Sequence, residues 1–347
     1  MTRTVLVAGG SGYFGSLLAE RARSRGDHVR IFDLEAPADA TDIEVVRGDV
    51  RDRAAVRAAM DGVDVVLNNV AQVPLAKDHE LFWSVNVLGA ANVLVAARDA
   101  GVAKVVHTSS SAIFGIPEVN PVTEETPGRP LEAYGRAKLE AELLCHQAAA
   151  SGLDVSIIRP RTILGHGRLG IMAILFEFVA EGAPVFVFGG GANRYQFVHA
   201  FDLADAVLLA ADRSGPATYN IGADRRSADH PPTMRETLTA LVDHAGTGSK
   251  VRSLPTGPAA ATMKALAGPG LIPFAPYHWL MYGESLWFDT AKARRELGWA
   301  PTRSNADMII ESYEWFLRNR AGLGDRHGSH HQSPLPLGLL KVLKKLP

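Results

Sequence analysis

Apolar runs of strand length punctuate the first half of the chain: TVLVA at 4–8, HVRIFD at 28–33, EVV at 44–46, DVVLN at 64–68, KVVHTS at 104–109 and VSIIR at 155–159. Most are continuous rather than alternating, the pattern of strands covered on both faces. Helical patterns near 13–25, 52–60, 79–100 and 132–151 fall between them. The alternation predicts βαβ units, hence an α/β fold with a doubly wound parallel sheet over residues 1–165. Beyond that point Gly and Pro crowd into GHGRLG, FGGGANR, HPPT and GPGLIPFAP. Helical patterns persist near 168–181, 202–212, 233–245 and 306–320. This half reads as a smaller, partly interleaved substrate domain over 166–320. Residues 321–347 read as a flexible tail closed by a short amphipathic helix, with Leu339, Val342, Leu343 and Leu346 opposite Lys341, Lys344 and Lys345.

Composition narrows the class of function. With 347 residues the chain can bury a large core, and 36 Lys plus Arg against 37 Asp plus Glu leave a net charge of -1, which gives no reason to expect a nucleic-acid partner. A lone cysteine, Cys145, excludes an internal disulfide and a cysteine zinc cluster, and a free thiol suits the cytoplasm. No metal site is expected. The amino terminus lacks the apolar core of a secretory signal, and no uninterrupted apolar stretch reaches the roughly 18–20 residues of a membrane span.

Two groups of residues carry candidate chemistry. VLVAGGSGYFGSLLAERA sets Gly9, Gly12 and Gly15 between the first strand and first helix, where bare backbone can approach a pyrophosphate and the helix start offers unpaired N–H groups. Asp33 closes the second strand and can accept from both ribose hydroxyls while repelling a 2′-phosphate, which favours NAD over NADP; Arg51 or Arg53 folding back would weaken that preference. Asp49 can accept from the adenine amino group or simply cap the helix near Asp52. The second group opens a helix: in EAYGRAKLEAELLCHQ, Tyr134 and Lys138 stand four apart and share a face. An ammonium about 4 Å from a phenol contributes on the order of 4 kcal/mol at an effective dielectric near 20, about three pKa units before the lysine's own desolvation. Such a phenol serves as a general acid/base near neutral pH. Ser109, Ser110 and Ser111, at the carboxyl end of the fifth strand, compete to orient a substrate oxygen.

Together GGSGYFG, GDVRD, NNVAQVP, VNVLGAANVL, TSSSAIFG, YGRAK, IIRPRTILG, FVHAFDLADA, YNIG and FDTAKARRELGWAP resemble the extended short-chain dehydrogenase/reductase family over roughly residues 4–317. That family includes NAD-dependent epimerases and dehydratases and the 3β-hydroxysteroid dehydrogenases. The resemblance implies Tyr134 as catalytic acid/base, Lys138 as its tuner and holder of the nicotinamide ribose, and Ser110 as the catalytic hydroxyl. It places Tyr13, Phe14, Val50 and Ala71 with the glycines around the cofactor and makes Asn86 a support of the active-site network. It also implies a homodimer through the helices at 79–100 and 132–151.

Departures from the family pattern bear on substrate. Ser111 and Ala112 stand where sugar dehydratases carry Asp-Glu, so dehydration is not expected. Thr162 and Tyr195 stand where nucleotide-sugar epimerases grip the diphosphate with Asn and Arg, although Arg161 or Arg194 could substitute. The segment LIPFAPYHWLMYGESLWF is either packed core or the lining of an apolar pocket. The expected activity is NAD-dependent hydride transfer at a secondary alcohol or ketone of an apolar, sterol-like small molecule. The alternatives are a nucleotide-sugar 4-epimerase and an NAD-binding module without catalysis. The tail helix suits weak contact with a membrane surface, a packing role or none.

Overall fold

A computed structural model describes residues 2–37, 43–73, 79–223, 230–267, 281 and 283–323. The aromatic-rich stretch before Met281 and the amphipathic tail helix lie outside the described residues.

Seven parallel strands form the central sheet: β1 (Thr4–Ala8), β2 (His28–Asp33), β3 (Glu44–Arg47), β4 (Val65–Asn68), β5 (Lys104–Thr108), β6 (Val155–Pro160) and β7 (Ala217–Ile221). Their spatial order is β7-β6-β5-β4-β1-β2-β3. The strands inside the sheet are buried along their length, as continuous apolar runs require. Helices α1 (Tyr13–Ser24) and α6 (Ala200–Asp212) cover one face, packing Leu18, Ala22, Leu203 and Val207. On the other lie α2 (Arg53–Ala59), α3 (Gly89–Asp99) and α4 (Ala133–Ala150), whose Val56, Val93 and Cys145 close a second core. A buried ion pair between Arg159 of β6 and Glu142 of α4 at 2.7 Å pins this layer to the sheet.

The sixth strand is the last that hydrophobic pattern alone makes visible. β7 reads ATYNI, and its buried Asn220 donates its backbone N–H to Glu124 and its side-chain amide to the Val122 carbonyl, about a hundred residues upstream. Sequence pattern cannot show such a partner. A third cluster lies beyond the sheet, where α5 (Ile171–Ala180), α7 (Met234–Ala245) and α10 (Asn305–Asn319) bury Phe176, Leu238 and Phe316; α8 (Thr256–Ala267) and α9 (Ala291–Leu297) are further helices of this half.

The stretch Glu80–Asp99 is long and apolar enough to cross a membrane by length and composition, yet half of it is buried inside the fold. It is interrupted by a π turn at Ser84–Leu88. The chain winds outward in both directions from β1 and β4, so the carboxyl ends of these strands open the cleft where such sheets hold ligands.

Candidate active site

The glycines at the start of α1 answer to different needs. Gly9 has φ +79, a backbone that side chains rarely adopt, and Gly15 has no room, because a Cβ there would fall on the Gly9 carbonyl oxygen. Gly12 is bare for another reason. A Cβ there would meet nothing tighter than the Gly9 oxygen at 3.5 Å, but Gly12 lines the cleft and caps α1 without a side-chain acceptor. The first N–H groups of a twelve-residue helix therefore face the cleft, suited to a pyrophosphate.

Asp33 accepts from the backbone N–H of Ser11 at 2.9 Å and of Leu34 at 2.7 Å. Each oxygen keeps acceptor capacity for a ribose hydroxyl while the carboxylate shapes the glycine loop. Arg51 does not fold back on Asp33. It grips Asp49, donating its backbone N–H at 2.9 Å and its Nε at 3.0 Å to Oδ1, and so holds that carboxyl below its usual range. The helix cap is Asp52, which accepts from Ala54 and Ala55, so Asp49 is free of that duty.

One continuous cavity of about 1470 Å³ gathers Gly9, Gly12, Tyr13, Phe14, Asp33, Asp49, Val50, Ala71, Ser110, Tyr134 and Lys138 on its wall. Gly15 and Asn86 stand behind it. The amide of Asn86 bonds both backbone groups of Gln72, at 2.8 and 3.0 Å, and so fixes a lining residue from the rear.

At the far end of the cleft, Glu132 caps α4 by accepting from the N–H groups of Tyr134 and Gly135, each at 2.7 Å. A Cβ on Gly135 would press the Ala112 carbonyl at 2.5 Å, so only glycine lets α4 sit this close to the turn Ser111–Phe114. That contact brings Tyr134 near Ser110, whose side chain eases ionisation of the phenol. The three serines are thereby distinguished: Ser111 accepts from Arg161 at 2.8 Å, and the Ser109 hydroxyl is buried without a partner among the described residues.

The electrostatics differ from the expectation drawn from spacing. Tyr134 is 9% exposed, and burial pushes its phenol up to about 12, opposed by the Ser110 hydrogen bond and the charge of Arg168. Lys138, 2% exposed, donates from Nζ to the Thr108 carbonyl at 2.9 Å, and burial brings it down to about 8. The lysine pays for its own desolvation, which spacing along a helix does not reveal.

Beyond Tyr134 the wall turns apolar: Leu169, Ile174, Phe178, Met234, Leu238 and Met263 line it. Here Thr162 and Tyr195 are hydrogen-bonded to each other at 2.7 Å. Arg161 lies on this wall and Arg194 does not; Arg194 donates to the Pro231 carbonyl. Arg168 escaped the sequence reading. It comes from the glycine-rich GHGRLG, reaches the cavity over the Tyr13 ring at 5.5 Å, and is lowered to about 10 by burial. An arginine among glycines was the available signal.

Residues 5–222 match the sequence model of the NAD dependent epimerase/dehydratase family. The chain belongs to that family. It is 49% identical over 345 residues to the "Uncharacterized protein y4nG" of Sinorhizobium fredii, covering 99% of this chain and 86% of that one. It is 31% identical to the human sterol-4-alpha-carboxylate 3-dehydrogenase, decarboxylating, over 60% of this chain and 57% of the relative. The UDP-glucose 4-epimerase of Mycolicibacterium smegmatis is 28% identical over 91% of this chain and 99% of its own. Among solved structures, a UDP-glucose-4-epimerase from Stenotrophomonas maltophila with bound NAD and formylated UDP-arabinopyranose matches with a TM-score of 0.74 at 24% identity, over 92% of this chain and 100% of that one. As a member of this family the protein is an NAD-dependent enzyme, and the glycine cradle, the uncapped start of α1 and Asp33 fit that cofactor.

Proposed function

We propose that the protein is an NAD-dependent oxidoreductase acting on a secondary alcohol or ketone of a largely apolar small molecule. Bound NAD supplies the nicotinamide that accepts or returns hydride at the reacting carbon. Ser110 orients the substrate oxygen, and Tyr134 takes its proton during oxidation or gives one during reduction. Arg168 and Lys138 supply positive charge on that side of the cavity, which favours the phenolate against the effect of burial. The apolar wall from α5, α7 and α8 excludes water from the reacting centre.

The observation that carries this reading is the Thr162–Tyr195 pair. At the two positions where the nucleotide-sugar epimerases carry an amide and a cation for the diphosphate, this chain carries two hydroxyls that satisfy one another. The name of the sterol dehydrogenase relative agrees with an apolar substrate. A substrate panel tests the reading: long-chain and sterol secondary alcohols, their ketones, and UDP-sugars, each followed by nicotinamide absorbance and product analysis. Reduced cofactor is expected with an apolar alcohol and not with UDP-sugars. Tyr134→Phe is expected to lower that turnover by about 10²–10⁴-fold while NAD binding persists. Interconversion of UDP-sugars without net reduction would establish the epimerase instead, and NAD binding with no turnover would leave only a binding module.

A further inference from the structure

In chain order, the last charged side chain on the described wall of the cavity is Arg168. From Leu169 to Ile309 the described lining residues are uncharged, and the Tyr195 hydroxyl among them is already bonded to Thr162. Helix α5 begins at Ile171, and its sequence IMAILFEFVA is apolar on nearly every side. On one face Phe176 is wholly buried against Tyr313 and Phe316 of α10. On another, Ile171, Ile174, Leu175 and Phe178 turn to the cavity at the i, i+3, i+4, i+7 spacing of a single helical stripe. These side chains keep accessible surface: Ile171 and Leu175 are half-buried, and Ile174 and Phe178 are 7% and 6% exposed. Met234 and Leu238 of α7 and Ala259 and Met263 of α8 line the same space, each pair four apart and so on one side of its helix.

The charge of Arg168 acts on Tyr134, so the stripe starts beside the reacting centre and leads away from it. We propose that this arm of the cavity holds a single hydrocarbon chain of the substrate, laid along α5 with the reacting carbinol or carbonyl at its Arg168 end. Resting on the oxidoreductase reading above, this narrows the apolar substrate to a long-chain alcohol or ketone that reacts near one end, rather than a fused-ring sterol. At about 1.5 Å per residue the stripe is about 10 Å long, room for about eight extended methylenes. With no charge along the described part of that wall, a second polar end would be desolvated without a partner, so a chain with one polar terminus fits it. The unbranched thioethers of Met172, Met234 and Met263 adapt to a flexible chain more readily than they brace a rigid ring system.

The test gives the full chain, saturated with NAD, the 2-alkanols from hexan-2-ol to tetradecan-2-ol and, separately, cholesterol. Turnover is read as kcat/KM from nicotinamide absorbance, and binding of the same alcohols from intrinsic tryptophan fluorescence. Both are expected to climb about threefold to fourfold per added methylene and to level off at about ten carbons. Leu175→Trp fills the middle of the stripe and is expected to move that plateau to chains several carbons shorter. If Leu175→Trp does not fold, the wild-type series decides. A plateau that stays in place in Leu175→Trp overturns the proposal. Turnover and binding that ignore chain length also overturn it, as does cholesterol oxidised faster than the best alkanol, and both of these leave the oxidoreductase reading standing. Binding that grows with chain length but without turnover of any alcohol keeps the chain site and removes the oxidoreductase reading. If no alcohol binds, both fall together.

Discussion

Tyr134 sits where a phenol is hard to ionise, and what surrounds it decides whether it can act as a base. Burial is the main cause that pushes it up to about 12, and the Ser110 hydroxyl and the Arg168 guanidinium hold it from rising further. A positive charge stabilises the phenolate, so removing one raises the pKa. Alcohol oxidation needs the phenolate, and its pH–rate profile in Arg168→Gln is therefore expected to move to higher pH than wild type. A profile that stays in place or moves to lower pH would remove Arg168 from this role. The Tyr-Lys pair was legible because four-residue spacing fixes a common helix face. The direction of Lys138 was not, since it depends on a carbonyl of β5, thirty positions upstream. Among the three serines, only tertiary structure separates Ser110, which acts on the Tyr134 phenol, from Ser111, bonded to Arg161.

At the scale of elements, six sheet strands and the helices between them follow from the period of apolar residues. The π turn at Ser84–Leu88, the turn Ser111–Phe114 and β7 do not, because each is defined by distant contacts rather than by local pattern. The same distinction separates the glycines that open α1. Gly15→Ala forces a methyl group onto the Gly9 carbonyl and is expected to cost about 1–3 kcal/mol of stability together with NAD affinity. Gly12→Ala meets only ordinary contact, so its melting temperature is expected to match wild type while NAD binding weakens. Thermal unfolding paired with an NAD titration checks both, and a Gly12→Ala protein with undiminished affinity would mean that no pyrophosphate lies over that backbone.

Across the whole molecule, burial sets the response to acid. His107 and His199 are fully buried, and burial brings each down to about 3, helped by Lys138 for the first and by Arg303, His166 and Arg21 for the second. Both take up a proton readily only after unfolding. Their contribution is thus intact above the ordinary value of 6.5 and drains as pH falls from there toward about 3, a loss of a few kcal/mol. Melting temperature is expected to fall through this window, and less steeply in His107→Gln; a flat melting temperature from pH 7 to about 4 would contradict the assignment. The molecule's central property is a continuous cavity that brings the glycine cradle and Tyr134 to one space with an apolar wall beyond. Its most direct test is isotope transfer. A long-chain secondary alcohol carrying deuterium on its carbinol carbon is incubated with the protein and NAD, and the mass of the nicotinamide product is measured. Deuterated reduced cofactor with wild type, largely lost with Tyr134→Phe, is the predicted result; unlabelled cofactor, or label transfer that survives loss of the phenol, would contradict it.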